Sequence, residues 1–155
     1  MFKAMRRSDR AISREEAYEL LKNGEFGVLG TIGINGYPCG TPFNYVVDGN
    51  NIYVHFAITG NVLESVKNNN KVSFTYVGTT QIVPEEFVTN YASVMVFGTA
   101  KIADDEEKRH ALHLMLEKYS KNFMESGIKH IEEDFKHANA LKVEIEHMTG
   151  KSRKG

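Results

Sequence analysis

The sequence has little of several features that define common protein classes. Its 155 residues include a single cysteine, Cys39, which excludes an internal disulfide framework and suits a reducing compartment. No apolar run approaches the length that spans a bilayer. The N-terminal residues are basic, but they carry no apolar segment of the kind that defines a secretory signal. These absences predict a cytoplasmic protein with no membrane partner.

The sequence also has no excess of basic charge. It carries 19 basic and 20 acidic residues, for a formal net charge of −1. Nucleic-acid-binding modules usually have a marked basic excess, so we expect no nucleic-acid partner. Hydrophobic residues at 41% and charged residues at 25% are values of ordinary folded proteins. The length predicts one domain over residues 1–155, with residues 1–12 as a loose N-terminal arm.

Motifs for several enzyme classes are missing. There is no phosphate loop of nucleotide hydrolases, no dinucleotide-binding glycine motif after a strand, and no nucleophile elbow. Cys39 has no neighbouring base in sequence, so we interpret it as structural. His110 and His113 lie three residues apart in a charged helical segment without a third ligand, which favours a solvated face over a metal site. We interpret His130 and His137 in the same way.

The segment Gly36–Gly60 organises the rest of the chain. It reads as two β-strands joined at Asp48-Gly49-Asn50-Asn51, a strong hairpin signal because such turns favour residues that tolerate positive φ. Its second strand ends near Thr59-Gly60-Asn61, where a short helix begins. Unpaired N–H groups and the helix dipole make such a corner suited to an anion.

Short strands and few helices dominate the remaining pattern. We predict further strands at Phe26–Ile34, Val72–Val77, Ala92–Ile102 and Leu141–His147. Helices are predicted after the capping box Ser13–Glu16, over Asn61–Asn68, after Asp104, and over Ile128–Phe135. Strands at this spacing do not form a parallel βαβ fold. They predict a mainly β protein, a six-stranded antiparallel barrel with flanking helices.

Two sets of polar residues are candidates for chemistry. His55 lies on a predicted strand, where it is either a proton-handling group at a site wall or a half-buried histidine satisfied by the backbone. Asn90, Tyr91 and Ser93 open another strand. They either bind a polar heterocycle or serve as ordinary strand-entry residues. The spacing of these residues leaves both questions open.

Taken in order, these segments resemble a known family, the pyridoxamine 5′-phosphate oxidase-like flavin-binding split barrels. Within it the chain is most similar to the nitroimidazole-resistance (Nim-type) proteins. The resemblance covers nearly the whole chain and rests on an ordered set of short motifs. These are Met5-Arg6-Arg7 with Asp9 and Arg10, Gly27–Thr31, Gly36-Tyr37-Pro38, Pro42-x-Asn44-Tyr45, Ile52–His55, Lys71–Phe74, Asn90-Tyr91-x-Ser93-Val94, Phe97-Gly98 and Ile145–Lys151.

The resemblance implies a split-barrel homodimer with two flavin sites between the subunits. The cofactor would be FMN, or alternatively FAD. The implied cofactor-binding residues are Thr41, Pro42, Phe43, Asn44, His55, Gly60, Asn61 and Val62, with Asn90, Tyr91 and Ser93 from the other subunit and Lys151 in the tail. One departure stands out: relatives commonly carry Lys or Arg at the position of Val62. A charge-assisted contact to phosphate is stronger than a neutral one, so this chain lacks an expected contact.

The implied function is a flavin-dependent oxidoreductase, either a nitroreductase or an enzyme like pyridoxamine 5′-phosphate oxidase. Its substrate would be a small redox-active molecule such as a nitroimidazole, and His55 would be the catalytic proton donor. The alternative is a non-enzymatic module that binds flavin or haem. Oxidation of pyridoxamine phosphate itself is less favoured, since the basic residues that a second phosphate requires are missing.

Overall fold

The computed structural model describes residues 1–154, which form a strongly curved antiparallel sheet with helices outside it. Every strand pairing is antiparallel, in the order β2-β1-β5-β7-β8-β4-β3, with β6 paired to β7. The strands are β1 (Phe26–Ile32), β2 (Pro38–Asn44), β3 (Val46–Asp48), β4 (Asn51–Ala57), β5 (Lys71–Val77), β6 (Gln81–Val83), β7 (Val88–Ile102) and β8 (Ala138–Arg153). The predicted antiparallel split barrel is confirmed.

The predicted number of six strands is wrong, because residues 1–154 form eight. The first strand of the predicted hairpin is divided at Tyr45 into β2 and β3, and the connector after β5 contains β6. β2 pairs with β1, whereas β3 pairs with β4. The two edge strands of the sheet are therefore consecutive in sequence. A single residue joins them, which curls the sheet into a barrel with a split beside Tyr45.

Four α-helices lie outside the sheet. They are α1 (Arg14–Asn23), α2 (Asn61–Asn68), α3 (Asp105–Tyr119) and α4 (Met124–Asp134). Ser13 Oγ accepts the N–H of Glu16, and an Asp104 carboxylate oxygen accepts the N–H of Glu107 at 2.8 Å. Both caps agree with the sequence, since Ser and Asp satisfy the first free N–H groups of a helix. None of these helices is long and apolar enough to span a bilayer.

The barrel interior is filled by alternate residues of its strands. Leu29, Phe74, Val96, Leu141 and Val143 are almost completely buried in this main cluster. A second cluster lies between α3 and strands β3, β4 and β8, and it is formed by Val46, Tyr53, Ala111, Met115 and Ala140. Helix α4 has no buried residue. It is therefore the least firmly anchored of the helices.

The interruption at Tyr45 is stabilised from the end of α3. The Tyr119 hydroxyl accepts the Tyr45 N–H at 3.0 Å and lies 2.7 Å from both the Tyr45 and the Glu25 carbonyl oxygens. The Lys118 ammonium donates to the Tyr45 carbonyl at 2.9 Å. Backbone groups that leave a sheet need other partners. These two side chains supply them, which permits the strand to change partners here.

Strand β8 extends well past its predicted end at His147, to Arg153. Its last residues pair with β7, where Ser93 faces Lys151 and Tyr91 faces Arg153. On the other edge, the Ile12 N–H donates to the Gly150 carbonyl at 3.1 Å, and Ala11 forms a bridge with Lys151. The two ends of the chain therefore lie side by side.

Candidate functional site

A cleft of about 540 Å³ opens where β2 diverges from β4. Val46 pairs with Tyr53, so the same register continued would place Asn44 opposite His55. Instead β2 turns away to pair with β1, and Asn44 and His55 are left on two sides of the opening. Two residues of the predicted site therefore meet at the split of the barrel.

The cleft has an apolar floor and a polar rim. Leu112, Met115 and Leu116 of α3 form the floor together with Ile131 of α4. The rim includes His130, Asp134 and His137, and His130 Nε2 lies 3.3 Å from a carboxylate oxygen of Asp134. No residue among 1–154 that lines the cleft is a lysine or an arginine. An uncharged planar ligand suits such a lining better than a strongly anionic one.

His130 and His137 correct part of the sequence interpretation. Both are exposed as predicted, but both also line the cleft opposite His55. Their sequence neighbours gave no signal for this, because the cleft forms only when α4 packs beside α3. Residues 1–154 contain no grouping of histidines, cysteines and carboxylates that could hold a metal ion.

His55 has an unusual environment for an accessible histidine. His55 is exposed and lines the cleft, yet surrounding protein atoms partly desolvate its ring. This desolvation lowers the pKa of His55 below its ordinary value. The imidazole is therefore neutral at neutral pH and can both donate and accept a hydrogen bond. Asn44 is held in place as its side-chain amide donates to the Glu25 carbonyl at 3.0 Å.

The other predicted residues of β2 alternate between the two faces of the sheet. Phe43 packs against the main core, and Thr41 is half-buried. Pro42 is exposed on the outer face, opposite Val28 of β1. A ligand on the outer wall would meet the Pro42 and Asn44 side chains but not the ring of Phe43.

The Gly60 corner is built for glycine. Gly60 has φ +131° and ψ −178°, a conformation essentially restricted to glycine, and it precedes α2 without a side-chain cap. The first N–H groups of α2 are consequently open to an anion. Asn61 is exposed, but Val62 packs partly against the main core. The corner thus offers backbone N–H donors, and Val62, at the position where a Lys or Arg is expected, contributes apolar packing instead of a positive charge.

The remaining predicted residues form a second group at the far end of β7 and β8. Ser93 faces Lys151, Tyr91 faces Arg153, and the Arg153 guanidinium donates to the side-chain oxygen of Asn90. None of them lines the cleft at the split. In one chain the structure therefore brings Asn44 and His55 together, and separately brings Asn90, Tyr91, Ser93 and Lys151 together.

The outer face of the sheet is apolar and exposed. Val28 lies between Pro42 and Thr75, and Thr75 faces Met95. Val28 is 38% exposed and Met95 is 43% exposed. Beside them Gly30 faces Gly40, and the side chains of Ser73 and Val28 lie over these two glycines. Contiguous apolar surface of this kind is typical of a binding face.

Comparison with known proteins identifies the family. The family model described as pyridoxamine 5′-phosphate oxidase matches residues 13–152. Among curated proteins, none matches this sequence.

Several solved structures share the fold. A candidate 5-nitroimidazole antibiotic resistance protein from Bacteroides thetaiotaomicron has a TM-score of 0.73 and 23% identity, over 91% of this chain and 85% of that one. A conserved hypothetical protein from Mycobacterium tuberculosis has a TM-score of 0.82 and 17% identity, over 96% and 90%. An FAD-binding protein from Mesorhizobium loti has a TM-score of 0.69 and 19% identity, over 94% and 97%. At these identities the likeness shows the fold alone.

Proposed function

Because this chain belongs to the pyridoxamine 5′-phosphate oxidase family, a family of flavin-binding split barrels, we propose that it is a flavin-dependent oxidoreductase of small redox-active molecules. The chain is then one flavin-binding domain over residues 1–155, working in the cytoplasm. The observation that carries the proposal is the opening at the split, where Asn44 and a neutral His55 face an apolar floor of ordinary ligand-pocket size.

The residues present fit the ring of a flavin better than its phosphate. The outer face of β2, where Pro42 and Asn44 are exposed, offers together with His55 a wall with two hydrogen-bonding side chains. At Gly60 a Cβ would meet no atom within 4 Å, so the corner is open to a ligand. Asn61 and Val62 bring backbone N–H groups and no cation. The phosphate would be held by the helix dipole alone.

A second copy of the chain would complete the site. The exposed apolar face around Val28 and Met95 supports a homodimer, since burying such a face stabilises association. Asn90, Tyr91 and Ser93 would then come from the partner subunit, and Lys151 would contribute a positive charge. Their separation from the cleft within one chain agrees with this arrangement. Size-exclusion chromatography with light scattering tests it, and a monomer at micromolar concentration would contradict it.

Turnover would divide between the cofactor and the protein. A bound flavin supplies hydride or single-electron transfer. Asn44 orients the ring, the apolar floor of α3 excludes water, and the protonated form of His55 donates a ring proton to the reduced substrate and is left as the neutral imidazole. Because the pKa of His55 is lowered, we expect turnover to rise as the pH falls toward that pKa.

The proposal is tested on the protein as purified. We expect a yellow protein that releases FMN, or alternatively FAD, on denaturation, and whose flavin absorbance is bleached by a nicotinamide donor. His55→Gln should retain the flavin and lose turnover, while His113→Gln, at a position of α3 that does not line the cleft, should keep both. A colourless protein that takes up no flavin would overturn the proposal. Nitroimidazoles are the first substrates to assay.

A second candidate is a binding module without turnover, for flavin or haem. Three histidines, His55, His130 and His137, line one cleft, and imidazole is a common haem ligand. One structure with the same fold is an FAD and haem binding protein from Mycobacterium smegmatis. The cleft has no lysine or arginine for the haem propionates among residues 1–154, which favours the flavin. A Soret band in the purified protein would reverse this preference.

A further inference from the structure

The two ends of the chain form a basic pocket whose two arginines have no role in the proposed flavin site. A depression of about 560 Å³ lies between the β6–β7 hairpin and the end of β8. Arg10 and Arg153 line it together with Tyr91. The residues that bring the two arginines together are Ala11 and Lys151, which form a β-bridge. The pocket is therefore a consequence of how the termini pair.

The two arginines of the pocket are less strongly ion-paired within the chain than Arg7 in the same region. Arg7 is neutralised by Asp9 at 2.7 Å, a pair that holds the pKa of the Asp9 carboxyl at about 2. Arg10 makes no ion pair with any of residues 1–154. Arg153 is oriented by the side-chain oxygen of Asn90 and forms a long ion pair with Glu86, at 3.6 Å. A fixed guanidinium with a weak internal partner is suited to an incoming anion.

An aromatic residue stands beside these cations in a strained and exposed position. Phe87 lines the pocket, is 94% exposed, and has φ +56°, in the left-handed region that bulky residues avoid. It makes no contribution to either hydrophobic cluster. Strain of this kind is retained mostly where it has a use. Phe87 and Tyr91 together offer aromatic surface next to the two guanidinium groups.

We propose that this pocket binds the adenosine diphosphate portion of a dinucleotide. Arg10 and Arg153 bind the diphosphate, and Phe87 stacks on the adenine. The dinucleotide is either an FAD cofactor or a nicotinamide electron donor. The inference rests on the proposed function only in naming these two sources. It also accounts for positive charge lying here while the Gly60 corner has none.

ADP is the probe, because it contains the portion that both sources share. We expect calorimetry on the full-length protein to show ADP binding that weakens with added salt. Arg153→Gln and Arg10→Gln should each weaken it by more than tenfold. Arg109→Gln is the matched control, because Arg109 is an exposed arginine of α3 paired with Glu132. No binding at millimolar ADP, or equal effects of Arg153→Gln and Arg109→Gln, would overturn the inference.

Two further variants separate the charge contacts from the stacking contact. Glu86→Gln removes the carboxylate that competes for Arg153, so ADP should bind a few-fold more tightly. Phe87→Gly relieves the strained backbone and should weaken ADP several-fold while leaving inorganic pyrophosphate unchanged. An unchanged or weakened affinity in Glu86→Gln would contradict the assigned role of Arg153. The melting temperature of each variant shows whether it is folded.

Two further affinity measurements then distinguish an FAD cofactor from a nicotinamide electron donor. A loss of FAD affinity in Arg153→Gln, with riboflavin affinity unchanged, assigns the pocket to the cofactor. A loss of NADH or NADPH affinity assigns it to the electron donor. ADP binding requires no flavin, so a protein that binds ADP but never flavin would sink the proposed function and leave this inference standing.

Discussion

The cleft at the split and the basic pocket at the chain ends have similar volumes and opposite chemistry. The cleft has an apolar floor, a histidine rim and no cation among the residues that line it in 1–154. The basic pocket has two arginines beside exposed aromatic surface. The first suits an uncharged ring and the second suits a phosphate. A protein with a net charge of −1 can therefore hold an anionic ligand, because its charges are segregated.

The two regions also differ in what holds them open. The cleft exists because a strand changes partners at Tyr45, and Tyr119 satisfies the backbone there. The basic pocket exists because the N-terminal residues pair with the end of β8. Changes that affect one region should leave the other intact, and the following predictions use that independence.

The largest expected effect comes from removing the hydroxyl at the split. Tyr119→Phe leaves the Tyr45 N–H without its partner, and a half-buried unpaired group costs about 2 kcal/mol. We expect this loss in the free energy of unfolding, measured with urea, together with weaker flavin binding and unchanged ADP binding. Tyr37→Phe, at an exposed turn, is the control. Equal stabilities of the two variants would show that Tyr119 does not support the split.

A smaller effect should follow from placing a cation at the Gly60 corner. Val62→Lys supplies the positive charge that the family resemblance leads us to expect here, and a charge-assisted contact to phosphate should tighten FMN binding roughly tenfold, about 1.4 kcal/mol. Riboflavin, which has no phosphate, should gain nothing. Asn68→Lys adds the same charge at the other end of α2 and serves as the control. A similar gain in both variants would mean that the charge acts at long range.

Acid should weaken folding through His55. Its pKa is lowered in the folded protein by desolvation, so the unfolded chain takes up a proton first as the pH falls below about 6.5. The free energy of unfolding should therefore decline below that pH and stop declining below the folded pKa. His55→Gln should flatten this part of the profile, whereas His113→Gln should not. A decline that persists in His55→Gln would assign it to another group.

The smallest effect is expected from Lys118 in alkali. Burial lowers its pKa to about 8, from an ordinary value of 10.5. Between these values the unfolded chain holds the extra proton, so the free energy of unfolding should rise slightly with pH. The side chain is partly exposed, which limits the effect. Lys118→Met should remove the rise, and Lys101→Met, at an exposed position of β7, should keep it.

Much of the architecture was readable in advance because it depends on neighbouring residues. The caps at Ser13 and Asp104, the turn at Gly49 and the helix Asn61–Asn68 all lie where local pattern places them. The eight-strand count was missed for a physical reason. Nothing near Tyr45 signals that its strand changes partners, since the groups that permit this come from the end of α3.

In the candidate site, too, some residues were recognisable from the sequence and others are brought in only by tertiary packing. His55 and Asn44 were recognisable by their positions on a predicted hairpin, and the structure places both at the cleft. His130 and His137 were not recognisable, because only the packing of α4 beside α3 brings them to it. That Arg10 and Arg153 meet was not recognisable for the same reason, since 143 residues separate them along the chain.

By itself the sequence determined the antiparallel class, the turns, the helix starts and the resemblance to a flavin-binding family, because each of these depends on residues close together in the chain. The tertiary structure alone decided where the barrel splits, which histidines face the cleft and where positive charge gathers. These features arise from contacts between distant segments, Tyr45 with Tyr119 and Ala11 with Lys151, and local preferences do not encode such contacts.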